Sequence, residues 1–264
     1  MRGLRSGIAC LAALLAGSVA AAAPTTSNLA REKNWADQVV DSVVVGEPVW
    51  LQNRGHKFLS LYAPPAENSS MAIVLLHGRG VHPAWGFIDR LRGDLADAGY
   101  HTLSLQLPIL AADAPFGSYG PTQPEAFERV NAGILYLRKY KGVQRVVLLG
   151  HSSGANTATG HAARHPQTGV VGVVAIGAAT YPNVHDLMLP AQQLRQVRAA
   201  VLDISGSNDL QEVTSHNKER RDAARTGKVD FTAVQIAGAD HFYTDHYEQL
   251  RAQIVAWLGR FKAK

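Results

Sequence analysis

Cysteine is almost absent from this chain: of 264 residues only Cys10 carries a thiol, and it lies in the first apolar segment. If that segment is removed, no cysteine remains, which excludes both a disulfide framework and a thiol nucleophile. Charge is sparse as well, at 18% of residues, and no long block of one sign occurs. The densest cluster, Lys218-Glu219-Arg220-Arg221-Asp222, mixes both signs and reads as one solvated helix face, so nothing points to a nucleic-acid partner. No fixed-period repeat appears. The run from Ile8 to Ala23 is short of the roughly 20 apolar residues a spanning helix needs.

What is present is a globular composition, 46% hydrophobic, in a chain long enough for one domain and a small extra segment. Arg2 and Arg5, the apolar run and the small residues Ser18 to Ala23 form a secretory pattern, so cleavage near Ala23 and export to periplasm or medium are expected. The net charge of +5 would then fall to +3, and no membrane span would be left. Cys10 after Gly7-Ile8-Ala9 weakly resembles a lipoprotein box, but most of the apolar run follows it. The expected division is residues 1–23 signal, 24–44 polar lead-in with a short amphipathic helix from Leu29 to Val40, and 45–264 main domain.

Val49-Trp50-Leu51 and Phe58 to Tyr62, separated by Asn53-Arg54-Gly55, predict an opening hairpin. Short continuous apolar runs follow at Ile73–Leu76, Leu103–Leu107, Val146–Leu149, Val170–Ile176, Val201–Ile204 and Phe231–Ile236. Runs without polar alternation suit a parallel sheet covered on both faces. Between them Phe87, Leu91 and Leu95, then Phe127, Val130, Ile134 and Leu137, recur at helical spacing. A last helix is expected to carry Tyr243, Tyr247, Leu250, Ile254, Trp257 and Phe261 on one stripe. Strands alternating with helices predict a mostly parallel α/β sheet, whose site lies beyond the carboxyl ends of the strands.

Chemistry-bearing residues sit at those ends. Val146 to Leu149 runs into Gly150-His151-Ser152-Ser153-Gly154, then Ala155, Ala158 and Ala162 at helical spacing. This is a G-x-S-x-G nucleophile elbow with a strand before it and a small-residue helix after it, and only Ser152 fits its centre. A serine hydroxyl needs a base and an acid to orient that base. Asp209 lies past the end of the Val201 run, where a side chain can reach the site. Asp203 lies within the run and would point into a face. A helix N-cap is the competing role for Asp209. His241 follows the last run and is the expected base; His246 is the rival, placed inside the final helix. The remaining histidines, His77 and His151 among them, read as structural or surface residues. Expected oxyanion donors are the backbone N–H of Ser153 and that of Arg79 in His77-Gly78-Arg79-Gly80, with Gly80 as alternative.

Taken together, Leu75-Leu76-His77-Gly78, Gly150 to Gly154, Gly206-Ser207-Asn208-Asp209 and Gly238-Ala239-Asp240-His241 resemble the α/β-hydrolase superfamily over roughly Val45 to Phe261. Leu76 to Gly80, Trp85 and Leu103 to Pro108 look like an exported proteobacterial branch of it. The resemblance implies an α/β-hydrolase fold, with helices on both faces of the sheet. It also implies ester cleavage through Ser152, His241 and Asp209 on a small-molecule acyl substrate. The spacing of these three leaves no room for a large cap domain, so Pro108–Gln123 and Thr180–Pro190 are expected to rim a shallow cleft. Asp240, His241, Asp245 and His246 have the wrong spacing for a helical metal site, and no metal or other cofactor is expected. Oligomeric state is not legible in the sequence. A silent binding or envelope-assembly protein on the same scaffold, or a peptidase, thioesterase or acyltransferase with the same three residues, remains open.

Overall fold

The computed structural model describes residues 23–262. The expected signal, residues 1–23, and Cys10 with it, lies outside the described residues except for Ala23.

The apolar runs form the expected strands. β1 (Glu47–Asn53) and β2 (His56–Ala63) make the predicted hairpin. β3 (Met71–Leu76), β4 (His101–Leu105), β5 (Arg145–His151), β6 (Val170–Ile176), β7 (Ala200–Gly206) and β8 (Phe231–Ile236) complete an eight-stranded sheet. Its order is β1-β2-β4-β3-β5-β6-β7-β8, with β1 and β2 antiparallel and every pair from β4 onward parallel. β3 is buried at every position because helices cover both faces, which is why it carries no polar alternation.

Eight α-helices are assigned among the described residues: α1 (Leu29–Val39), α2 (Phe87–Asp97), α3 (Gln123–Lys141), α4 (Ser153–Arg164), α5 (Pro190–Leu194), α6 (Gln211–Thr214), α7 (Asn217–Gly227) and α8 (Tyr247–Leu258). Val130, Ile134 and Leu137 of α3, the alanines of α4 and Leu194 of α5 pack with Val74, Leu148 and Val201 on one face. Leu91 and Leu95 of α2 and Leu250 and Ile254 of α8 pack with Ile73, Leu149 and Ile204 on the other. Each such fully buried aliphatic side chain contributes about 1.5–3 kcal/mol. Among the described residues no helix is long and apolar enough to cross a membrane.

Two expectations need correction. The fourth strand ends at Leu105, not Leu107, because the Leu107 N–H turns away to bond the His77 ring at 2.9 Å. The final helix begins at Tyr247, so Tyr243 lies outside it. Tyr243 sits in a turn at φ 55°, still buried, with its hydroxyl donating to the Ile204 carbonyl at 3.3 Å. Burial, not helical phase, explains why that tyrosine fell on the apolar stripe.

Candidate active site

The turn from β5 into α4 is tight enough to force its sequence. A Cβ on Gly150 would lie 2.1 Å from the Gly154 carbonyl oxygen, and one on Gly154 would lie 2.2 Å from that of Leu76. Between them Ser152 takes φ 56°, ψ −121°, a conformation that costs a non-glycine residue about 1–3 kcal/mol. Its N–H is tied to the Ile176 carbonyl at 2.8 Å. The side chain is thus presented at the carboxyl edge of the sheet. The Ser152 hydroxyl makes no hydrogen bond among the described residues.

Asp209 and His241 come together as a pair. The buried Asp209 Oδ1 lies 2.6 Å from His241 Nδ1. The same carboxylate accepts the Leu210 N–H at 2.8 Å and the Gly206 N–H at 3.3 Å. The competing cap role is therefore reduced to one bond to the residue that precedes α6. With Nδ1–H donating to the carboxylate, Nε2 is the nitrogen left to accept a proton. Gly177, just after β6, makes room for the pair: a Cβ there would lie 3.0 Å from His241 Cε1 and 3.4 Å from Asp209 Oδ2. Ile176, whose carbonyl binds the Ser152 N–H, is its neighbour, so Ser152 and the imidazole flank the same strand end.

His151 secures His241 from the other side. Its Nε2 donates to the His241 carbonyl at 2.9 Å, and the two rings lie 4.7 Å apart. Burial lowers its pKa to about 4, so it adds no charge beside His241. The rival His246 is not inside a helix; it is the half-buried residue before α8, with Nδ1 on the Thr244 carbonyl at 2.7 Å. Turn geometry over residues 238–246, with positive φ at Gly238, Tyr243 and Asp245, broke the helical reading of this stretch. Asp203 points into a face as expected, paired there with the buried Arg220 at 3.0 Å.

The expected donors lie on the opposite wall. Ser153 is the first residue of α4, where N–H groups have no intrahelical acceptor and the helix dipole favours negative charge. Neither its N–H nor that of Arg79 has a hydrogen-bond partner among the described residues. The loop carrying Arg79 touches Ser152, since a Cβ on Gly78 would lie 3.6 Å from Ser152 Cβ. His77 fixes this loop. The Leu107 N–H and the Gln106 side-chain amide both donate to its Nε2, at 2.9 and 3.0 Å, so the ring proton is on Nδ1 and donates to the Gly78 carbonyl at 2.7 Å. Burial drives the His77 pKa down to about 3, which keeps that tautomer neutral. In a trans peptide the N–H points opposite to the C=O, so holding the Gly78 carbonyl also sets the direction of the Arg79 N–H.

Nothing in the local sequence distinguished His77, His151 and Gly177 as site residues. Their positions next to the strand ends were the available signal.

The two irregular stretches meet beside the site. The Phe116 and Tyr181 rings meet at a tilt with centroids 4.2 Å apart, and Asn156 of α4 donates to the Ala179 and Met188 carbonyls, both at 3.0 Å. A cavity of about 10 Å³, room for roughly one water, lies among Gly78, Arg79, Tyr119, Ser153 and Thr157. Phe242, next to His241, is 59% exposed. Wider concavities of about 450 and 550 Å³ open around Ser70, Tyr100 and His101. These are amino ends of parallel strands, the edge away from the donors and the nucleophile, and carry none of this chemistry.

Comparison with known proteins agrees with the architecture. The model of the alpha/beta hydrolase family matches residues 73–257. That of a family described as a protein of unknown function, DUF3530, matches residues 8–126. No curated protein matches the sequence. Among solved structures, Est1E from Butyrivibrio proteoclasticus is 15% identical with a TM-score of 0.65, over 82% of this chain and 99% of that one. A dienelactone hydrolase from Anabaena variabilis is 19% identical with a TM-score of 0.66, over 81% of this chain and 96% of the other. A monoacylglycerol lipase from Paleococcus ferrophilus is 19% identical with a TM-score of 0.59, over 75% and 97%. At these identities the likeness is one of fold.

Proposed function

The chain belongs to the alpha/beta hydrolase family, and from that premise we propose that it is a serine hydrolase cleaving carboxylic esters through an acyl-enzyme on Ser152. The observation that carries this reading is the 2.6 Å Asp209–His241 bond at the strand edge where the Ser152 elbow is presented.

In the proposed reaction, Ser152 Oγ attacks the ester carbonyl while His241 Nε2 takes its proton. Asp209 holds the Nδ1–H and stabilises the imidazolium. The Arg79 and Ser153 N–H groups receive the developing oxyanion. Collapse breaks the bond to the alcohol, which leaves with the proton from His241. Water then gives a proton to His241 as its oxygen attacks the acyl carbon, and the acid departs as Ser152 regains its proton. The names of two fold neighbours, a dienelactone hydrolase and a monoacylglycerol lipase, are in keeping with ester chemistry. With residues 1–23 read as a secretory signal, the reaction takes place outside the cytoplasm.

A second reading is a silent binding protein on this scaffold, favoured by the Ser152 hydroxyl having no hydrogen-bond partner among the described residues. Fluorophosphonate labelling separates the two. Covalent labelling at Ser152, together with p-nitrophenyl ester turnover that Ser152→Ala abolishes, is the expected result. Equal turnover by wild type and Ser152→Ala, or a folded protein that stays unlabelled, would remove the mechanism.

A further inference from the structure

The segment before the hairpin does not behave as a mere lead-in. Arg31 and Trp35, one helical turn apart on α1, both reach the donor loop. Arg31 Nη2 donates to the Gly80 carbonyl at 2.8 Å and Trp35 Nε1 to the same oxygen at 3.3 Å. The other arm of the guanidinium, Nη1, donates to the Leu110 carbonyl at 2.7 Å, so one side chain joins the donor loop to the rim loop. No carboxylate pairs with Arg31 among the described residues; its donors are directed at two backbone oxygens. The rigid, planar spread of a guanidinium can span both, and a single ammonium cannot.

Gly80 sits at φ 73°, and a Cβ there would lie 3.3 Å from Arg31 Nη1. The helix bearing these groups is itself moored. The Asn28 N–H donates to the Ile109 carbonyl at 2.7 Å, the Thr25 and Thr26 hydroxyls both donate to Glu125 at 2.8 Å, and Glu32 pairs with Arg129 at 2.9 Å. Ala36 and Val39 pack on Leu59 and Leu61 of β2. Arg79 therefore lies between two restrained carbonyls, Gly78 held by His77 and Gly80 held by α1.

We propose that residues 24–44 are part of the active site, with Arg31 and Trp35 as positioning residues that fix the Gly80 carbonyl and so preorganise the Arg79 N–H for the oxyanion. This inference rests on the serine hydrolase reading. Neither side chain need touch substrate; both act by anchoring the Gly80–Val81 peptide and so restraining the chain on the far side of residue 79.

The test compares Arg31→Lys, which keeps the charge but removes the fork, with Trp35→Phe, which keeps the ring but removes the donor. Lys33→Ala, on the exposed side of α1, serves as control. With p-nitrophenyl acetate, kcat should fall about 10- to 100-fold in Arg31→Lys and less in Trp35→Phe, with KM within about threefold. Affinity for a trifluoromethyl ketone, which forms the tetrahedral adduct, should weaken by the same factor as kcat. Lys33→Ala should match wild type in all three. Wild-type kcat in both variants overturns the inference, as does a kcat loss with unchanged ketone affinity. If Arg31→Lys does not fold, Trp35→Phe decides alone. Wild-type protein that neither hydrolyses the ester nor takes the fluorophosphonate overturns the hydrolase reading itself and this inference with it. Failure of the inference alone leaves wild-type labelling intact.

Discussion

On the donor side of the cleft the chain is held by bonds that cross the whole sequence. His77 is fixed by residues 106 and 107, Gly80 by residues 31 and 35, and behind them Arg129 joins Glu125, Glu32 and the Gln106 carbonyl. The base side is built largely from its own turns. Asp240 Oδ1 accepts the Phe242 and Thr244 N–H groups, and His246 bonds the Thr244 carbonyl. Its long-range ties are Asp209 and His151 on His241, residues 207 and 208 on Gly238 and Ala239, and the Tyr243 hydroxyl on the Ile204 carbonyl. The contrast separates two requirements. An oxyanion donor has to be rigid before the charge arrives, whereas a base has only to keep one ring nitrogen oriented while it exchanges protons.

The comparison can be sharpened or broken by experiment. The largest effect expected is on the base side, where one carboxylate sets the tautomer. Asp209→Asn should lower kcat for p-nitrophenyl acetate by roughly 10⁴-fold with little change in thermal midpoint. A drop below tenfold would mean that the turn, not Asp209, orients the imidazole.

Next is Arg129→Met on the donor side. It leaves Glu125 and Glu32 buried without their cation and should cost about 3–5 kcal/mol in urea unfolding. The exposed Arg251→Ala, which breaks only solvent-screened surface pairs, should move the urea midpoint far less. Equal midpoints for Arg129→Met and wild type would remove the claim that the donor side is the more heavily braced.

Acid should loosen both walls. Burial holds His77 at about 3 and His151 at about 4, while an unfolded histidine titrates near 6.5. Below pH ~6.5 the unfolded chain therefore takes up protons that the folded chain refuses. Stability is full above that pH and falls as pH drops, by about 1.4 kcal/mol per unit for each ring, down to about 4 for His151 and 3 for His77. Burial holds His161 at about 3 as well, so unfolding free energies measured from pH 7 to 4.5 should fall at least as steeply as these rings together require. His77→Gln should reduce the slope by one proton's worth; an unchanged slope in that variant would show that His77 is not held neutral.

The smallest effect concerns the exposed Phe242. Replacement by Ala should leave stability within about 0.5 kcal/mol and raise KM for an aryl ester by roughly 2- to 10-fold. A cost of several kcal/mol in unfolding would place Phe242 in the frame of the base loop, and the contrast between the walls would weaken.

How much of this was legible beforehand depends on the range of the interaction. The strands were readable because a sheet covered on both faces demands continuous apolar runs, and β6 and β8 begin and end where those runs do. The Gly150–Gly154 frame was readable because its steric demand is met by neighbours in the chain. His246 was misplaced because turn residues at positive φ interrupt a pattern that composition alone makes helical. His77 and His151 were read as structural or surface residues, and both do turn out to hold backbone. Which backbone they hold could not be read.

By itself the sequence determined the order and type of the elements, the elbow around Ser152, and the strand ends where an acid and a base stand. These follow from forces acting between residues a few positions apart: steric limits, periodic burial, turn chemistry. Only the tertiary structure decided that residue 31 grips residue 80, that Gly177 clears space for His241, and that His77 aims the Arg79 amide. Such pairings are set by how the helices and loops settle around the sheet, and no local preference encodes which distant carbonyl a guanidinium or an imidazole will find.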